Sequence, residues 1–108
     1  MTTERIEHMC GGTGFVTIQR ILSAEEMKGK CGLYAKVTIG PGSSLGYHEH
    51  HGESEIYFIL SGQGEYNDNG TLRPIKQGDR TITVHGTGHG LANIGNEDLV
   101  FMALIIQD

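Results

Sequence analysis

The sequence is poor in several residue types, and each shortage excludes a class of protein. Its 108 residues include no tryptophan, two prolines and two cysteines. Two prolines are too few for a collagen-like or proline-rich disordered chain. Cys10 and Cys31 are too few and too far apart for a disulfide framework or a Cys-x-x-Cys metal site, and the sequence leaves open whether they pair.

Positive charge and long apolar runs are also scarce. Eight Lys and Arg residues stand against thirteen Asp and Glu, for a net charge of −5, so no basic surface for nucleic acid or anionic membrane is expected. The longest apolar run, residues 99–106, is far shorter than the about 20 residues of a membrane-spanning helix. The first residues lack the pattern of a secretory signal. We therefore expect a cytoplasmic protein with one domain.

Glycine, in contrast, is abundant, and it marks the turns. Seventeen glycines separate short runs that are rich in β-forming residues, and regularly spaced short strands predict an all-β sandwich or barrel. The predicted strands are residues 15–22, 33–39, 45–50, 55–60, 64–67, 71–76, 80–85, 90–94 and 99–106. The dipeptide Asn69-Gly70 predicts a tight hairpin turn, and Pro74 marks its strand as an edge or bulged strand.

The N-terminal third differs from the rest. Ser23 and Glu26 form a capping-box pattern for a one-turn helix. The run from Gly11 to Gly14 lacks the lysine and Ser/Thr ending of a phosphate-binding loop, and it predicts a flexible arm. We divide the chain into an N-terminal arm and strand at residues 1–32, which pack on or swap to a partner barrel, and a barrel at residues 33–108.

Five of the six histidines lie between positions 48 and 89. Because residues two apart on a strand share a face, His48 and His50 project together. After a turn at Gly52, Glu55 can begin the neighbouring strand and return alongside them. Two imidazoles and a carboxylate form three corners of a metal site, and His89 is placed to supply the fourth. A solvated polar face is the structural alternative for such a pattern.

The spacing of these residues resembles the cupin superfamily. Gly42, His48, His50, Glu55 and Gly62 match every defined position of the first cupin motif. The second motif is matched by the residues that follow, with Val84 standing where the motif has proline: Gly78, Gly86, His89 and Asn93. The 15 residues between Gly62 and Gly78 are typical of small single-domain cupins.

This resemblance implies a double-stranded β-helix, or jelly-roll barrel, with an extra N-terminal strand. It also implies one divalent transition metal per chain, held by His48, His50, Glu55 and His89. Manganese, iron, cobalt, nickel, copper and zinc all accept such ligands, and the sequence does not choose among them.

Strand alternation from the ligands predicts the lining of the pocket. Counting by two from Glu55 turns Tyr57 inward, and counting from His89 turns Asn93 inward. Glu55 and Tyr57 are the candidate catalytic residues: the carboxylate as a base, and the phenol as a hydrogen-bond donor to a bound oxyanion. Tyr57 as core and Asn93 as a turn-fixing residue are the structural alternatives.

Four further residues have weaker claims. Glu53 is a rim acid that can donate a proton, and Arg80 begins a strand from which it can reach inward. His51 is expected to face away from His50, and His85 has no assigned role.

Small cupins of this kind are similar to oxalate decarboxylase-like and dioxygenase-like enzymes. We therefore favour a metalloenzyme acting on a small oxygen-rich substrate. The alternatives are a non-catalytic module that binds or senses a small ligand, and a sugar-phosphate isomerase-like cupin. Strand 15–18 can pair with a second chain, and we expect a homodimer.

Overall fold

Ten β-strands form two antiparallel sheets in the computed structural model, which describes residues 1–108. The six strands of the larger sheet are, in order across it, β1 (Thr2–Glu7), β2 (Phe15–Arg20), β3 (Cys31–Ile39), β10 (Leu99–Gln107), β5 (Glu53–Ser61) and β8 (Arg80–Thr83). The four strands of the smaller sheet are β4 (Ser44–Glu49), β9 (Gly88–Ala92), β6 (Gln63–Asp68) and β7 (Thr71–Lys76). The predicted all-β jelly-roll architecture is confirmed.

The hydrophobic core lies between the two sheets and follows strand alternation. On β10, Leu99, Phe101 and Ala103 are buried, because every second side chain of a strand points to the same face. Residues from both sheets meet them in one cluster of 14 buried side chains, which includes Val16 and Ile18 of β2. The core thus includes residues from both sides of the predicted boundary at residue 32, and the division into arm and barrel stays a prediction.

Local sequence signals account for the turns. Asn69 and Gly70 both have positive φ angles, 51° and 100°, as a type I′ turn between β6 and β7 requires. Pro74 lies on β7, which is an edge strand of the smaller sheet as predicted. The one-turn helix α1 (Ala24–Met27) begins after Ser23, and Ser23 and Glu26 form the predicted capping box.

One strand was not predicted, and most of the others begin or end one or two positions from their predicted bounds. β1 was not predicted, since its only apolar residue is Ile6 and its other side chains are exposed; pairing with β2 along its whole length forms it. β9 begins at Gly88, two positions before the predicted start, because backbone pairing with β4 extends through His89 to Gly88. No helix of the chain has the length and apolar character needed to cross a membrane.

Asn93 fixes the loop after β9. Its buried Nδ2 donates to the carbonyl oxygens of Ile39 at 2.8 Å and Glu97 at 2.7 Å, and its Oδ1 accepts from the Gly95 N–H at 2.9 Å. The amide therefore ties the end of β3 to the turn that leads into β10, and this contact network agrees with the turn-fixing alternative for Asn93.

Replacing Asn93 with alanine should lower the free energy of unfolding by about 1–3 kcal/mol, because it leaves buried backbone groups without partners. Urea unfolding followed by circular dichroism measures this loss. The exposed neighbour Asn96 supplies the control, Asn96→Ala, for which little change is expected. Equal effects of the two substitutions would contradict the assigned role.

Candidate metal centre

The four predicted ligands meet between the two sheets. His48 lies on β4, Glu55 on β5 and His89 on β9, while His50 follows the end of β4. His48 and His89 are register partners across β4 and β9, and His48 and His50 share a face. The candidate ligand atoms of all four residues lie within 4.8 Å of one another, so the group can hold a metal ion.

His50 lies outside a strand, yet its backbone is fixed on both sides. Its N–H donates to the Thr87 carbonyl at 3.0 Å, and its own carbonyl accepts from the Gly86 N–H at 2.8 Å. The loop between β8 and β9 therefore holds this histidine beside the strand that carries His89.

The histidines direct their Nε2 atoms towards one carboxylate oxygen. Oε1 of Glu55 lies 2.8 Å from Nε2 of His89, 3.0 Å from Nε2 of His50 and 3.7 Å from Nε2 of His48. The Nε2 atoms of His50 and His89 are themselves 3.0 Å apart.

In His48 and His50, hydrogen bonds made by Nδ1 determine which ring nitrogen carries the hydrogen. Nδ1 of His48 lies 2.8 Å from the Gly46 carbonyl oxygen, and Nδ1 of His50 lies 2.5 Å from Oε2 of Glu53. Both oxygens only accept, so each Nδ1 carries the hydrogen and donates it. In the neutral rings, Nε2 then presents a lone pair to the centre, which is the form that binds metals.

His89 is held by hydroxyl groups. Its Nδ1 lies 2.8 Å from Tyr66 Oη and 2.9 Å from Thr83 Oγ1. The ring stacks on Tyr57, with centroids 4.6 Å apart and an interplanar angle of 21°. The imidazole is fully buried, and these contacts fix both its plane and its direction.

This donor set fits a divalent transition metal. Metal-bound nitrogen and oxygen atoms lie about 2.0–2.2 Å from such an ion, so two ligands of one ion are separated by about 3–4 Å. The separations of 2.8, 3.0 and 3.7 Å from Oε1 of Glu55 lie in or close to that range, and no two of the candidate ligand atoms are more than 4.8 Å apart. Imidazole nitrogens together with one carboxylate suit manganese, iron and the later first-row metals better than calcium or magnesium.

Burial and charge shift the pKa values of this group in opposite directions. Burial alone would raise the pKa of Glu55, but the imidazoles of His48 and His89 lower it to about 2. Burial lowers the pKa of His89 more than Glu55 raises it. Burial also acts to lower the pKa of His48, but that ring is partly exposed, and the Glu55 carboxylate raises its pKa overall.

An apolar cavity of about 160 Å³ opens beside three of the four residues, His48, His50 and Glu55. It is lined by Met9, Cys10, Ile18, Leu33, Val37, Leu45, His48, His50, Glu55, Tyr57, Phe101, Ala103 and Ile105. No lysine or arginine lines it. Burial, followed by the charge of Glu55, raises the pKa of the Tyr57 hydroxyl well above its ordinary value, so the phenol keeps its proton.

The structure also shows where the four other residues with a possible functional role lie. Glu53 is bound to His50, so its carboxylate orients a ligand instead of standing free as a proton donor. Arg80 is exposed at the start of β8, where Thr81 and Thr83 take the inward positions, and it does not reach the cavity. His51 and His85 are exposed, and their rings contact each other with centroids 5.9 Å apart.

Several contributors were not predicted. Glu53, three residues from His50 across the turn at Gly52, was expected as a rim acid and not as an orienting group. Tyr66 and Thr83 contact His89 across strands, and such partners depend on strand register. Alternation along β6 and β8 would have turned Tyr66 and Thr83 inward, but it could not have paired them with His89.

In the metal-free protein, the ionised Glu55 should stabilise the fold above about pH 4.5 and lose this effect as the pH falls towards about 2. The pKa in the fold, about 2, lies below the ordinary 4.5, and the difference corresponds to on the order of 3 kcal/mol. Urea unfolding of wild type and Glu55→Gln at about pH 7 and about pH 3 measures it. The stability gap between the two proteins should shrink in acid.

The exposed Glu97 provides the control, because Glu97→Gln should track the wild type at both pH values. A gap between wild type and Glu55→Gln that is independent of pH would contradict the assignment.

Comparisons with known proteins agree with this architecture and site. Residues 35–105 match the Cupin domain family. The chain is 49% identical over 106 residues to an "Oxalate-binding protein" of Thermotoga maritima, covering 98% of this chain and 88% of that protein.

Solved structures give the same picture. A crystal structure of a predicted oxalate decarboxylase from Thermotoga maritima superposes with a TM-score of 0.96 at 48% identity, covering 100% of this chain and 94% of the other. A Cupin 2 conserved barrel domain protein from Salinispora arenicola gives 0.73 at 26% identity, covering 85% and 76%. With its family match, its relatives and its ligand geometry in agreement, this chain belongs to the cupin family.

Proposed function

We propose that this chain binds one divalent transition metal through His48, His50, Glu55 and His89, and that the metal centre holds a small oxygen-rich anion of the oxalate class. The observation that carries the proposal is the convergence of the imidazole Nε2 atoms on Oε1 of Glu55. A divalent cation at the point on which these atoms converge would be bound by three nitrogens and one oxygen at once, whereas without it the imidazoles share their protons with the carboxylate.

The cavity supports the choice of ligand. Its volume of about 160 Å³ is below the roughly 300–1,000 Å³ of sites for drug-sized ligands. An anion that enters meets mostly apolar walls and no lysine or arginine side chain. A divalent ion supplies the positive charge and the open coordination positions that such an anion needs. The oxalate-binding relative, 49% identical to this chain, supports the same class.

Tyr57 orients the anion. The side chain is buried and lines the cavity, and its hydroxyl faces Glu55 without being tied to any other group. Because its raised pKa keeps the proton on the oxygen, the hydroxyl donates a hydrogen bond to a ligand oxyanion. Stacking on His89 holds the phenol ring in place.

Turnover of the bound anion is the second candidate function. Decarboxylation requires an acid that donates a proton to the carbon that loses carbon dioxide. Glu53 is a poor candidate for this acid, because its carboxylate already accepts a hydrogen bond from His50. Tyr57 is the buried hydroxyl donor that faces the ligand position, and this favours it as the acid of that reaction. A sugar-phosphate isomerase has less support, because no lysine or arginine lines the cavity to bind a phosphate.

Replacing His48, His50 or His89 with alanine should weaken metal binding by more than about 100-fold, since even partners of metal ligands contribute about 10–100-fold. Elemental analysis of untagged protein should find one transition-metal ion per wild-type chain and almost none in the variants. Circular dichroism checks that each variant keeps its β structure.

His51→Ala and His85→Ala are the matched controls, because both residues are exposed and lie outside the ligand group. Both should retain the full metal content. Equal metal in His89→Ala and His51→Ala would refute the site.

Tyr57→Phe should weaken oxalate binding to the manganese-loaded protein by about 10-fold, the value of one hydrogen bond. Isothermal titration calorimetry measures the affinity. Phenylalanine keeps the ring that stacks on His89, so the metal content should not change. Tyr34→Phe on β3, away from the cavity lining, is the control.

The same samples separate the two functions. Release of formate and carbon dioxide from oxalate by the wild type, slowed in Tyr57→Phe, would establish the enzyme. Tight binding without products would establish the binding module. Wild-type protein that holds metal but binds no oxalate would exclude both.

A further inference from the structure

We propose that residues 8–14, here named the cap loop, form the outer wall of the metal cavity and set the length of the anion that it admits. This inference rests on the proposed function. It assigns ligand selectivity to an N-terminal segment that lies outside both cupin motifs.

The cap loop contributes the part of the cavity that the barrel does not. Met9 and Cys10 line the cavity together with the metal-site residues, whereas the other lining residues lie on β2, β3, β4, β5 and β10 or, as His50 does, directly after β4. Met9 is half-buried and packs against the hydrophobic core. The Cys10 thiol also lies near the metal centre: burial, followed by the negative charge of Glu55, raises its pKa.

Hydrogen bonds dock the cap loop on β4 and the turn before it. The Ser44 N–H donates to the Thr13 carbonyl at 2.9 Å, and the Thr13 N–H donates to Ser44 Oγ at 2.9 Å. The Thr13 hydroxyl donates to the Gly42 carbonyl at 3.1 Å. The glycine-rich run that predicted a flexible arm is therefore a docked segment.

A close backbone contact brings the cap loop against the barrel. A Cβ atom on Gly12 would lie 2.1 Å from the Ser44 carbonyl oxygen, and one on Gly46 would lie 2.0 Å from the Cys10 carbonyl oxygen. No side chain fits at either position without moving the backbone. The paired glycines thus allow Met9 and Cys10 to reach the cavity mouth.

The internal turn of the cap loop is also held in place. The Gly11 and Gly12 N–H groups donate to the carbonyls of His8 and Met9 at 2.9 Å and 3.0 Å. His8 and Cys10 have left-handed backbone angles, φ 51° and 54°. Non-glycine residues keep this unfavourable conformation where surrounding contacts impose it.

The wall formed by Met9 and Cys10 limits the length of the anion that the cavity can hold. In oxalate the two carboxylates are directly bonded, whereas malonate and succinate insert one and two methylene groups. An anion bound at the metal centre extends into the cavity, where Met9 and Cys10 close the space. Shortening Met9 should therefore benefit the longer anions and leave oxalate bound.

The test compares oxalate, malonate and succinate by calorimetry on manganese-loaded protein. Met9→Ala should reduce the preference for oxalate over succinate at least 10-fold, the order of discrimination that one or two methylenes produce in a closed pocket. Met102→Ala is the matched control, because Met102 lies on β10 between the inward residues Phe101 and Ala103 and faces away from the cavity. An unchanged preference in Met9→Ala, with wild-type protein that binds oxalate, would overturn the role of the cap loop.

A second measurement needs only the metal as its probe. Gly12→Ala should displace the cap loop and speed the release of bound manganese to excess chelator severalfold. Gly40→Ala is its control, since the nearest atom to an added Cβ is 3.8 Å away. Equal release rates in the two variants would contradict the covering role whether or not oxalate binds.

The outcomes distinguish the two proposals. Faster release in Gly12→Ala together with no oxalate binding by the wild type supports the cap loop as a cover and overturns the anion ligand. Wild-type protein without bound metal overturns both.

Discussion

A buried carboxylate surrounded by imidazoles is the constraint on which the rest of the structure depends. Glu55 is 4% exposed, and a charge in such a place is unfavourable unless partners compensate it. The partners come from β4 and β9 of the smaller sheet, while Glu55 comes from β5 of the larger one. The two sheets must therefore close on each other in one register for the centre to form.

The groups around the ligands serve that constraint. Each histidine ring is fixed through its Nδ1 atom. The partner is a main-chain carbonyl for His48, the Glu53 carboxylate for His50 and two hydroxyl groups for His89. Stacking on Tyr57 adds a planar restraint to His89. The far nitrogen of each ring has a partner within the fold, so the orientation of the three rings does not depend on a bound ion.

Most strands and the group of candidate ligands could be predicted from the sequence, because both depend on the spacing of residues that are close together in the chain. Because side chains two residues apart on a strand share a face, and because Gly52 allows a turn, His48, His50 and Glu55 were expected to lie together. The same alternation predicted that Tyr57 points inward. Cross-strand information was missing. The contact of Glu53 with His50 depends on the conformation of the turn at Gly52, and the contacts of Tyr66 and Thr83 with His89 depend on sheet register.

The N-terminal region was the least predictable part. β1 has one apolar residue and forms by pairing with β2, so its sequence lacks the alternation that marks a buried strand. The docking of residues 8–14 depends on two glycines, Gly12 and Gly46, that approach each other from distant parts of the chain. A glycine shows in a sequence that a close approach is possible, but not which segment approaches it.

The position of β10 has a consequence for how the chain acquires its structure. β10 lies between β3 and β5 and pairs with both along most of its length, although it is synthesised after either of them. Until residues 99–107 have left the ribosome, the facing edges of β3 and β5 lack their partner, and exposed edges of this kind favour aggregation. All four candidate ligands are made before that strand. Folding of this barrel is therefore expected to be late and cooperative, with the centre completed only when the last strand inserts.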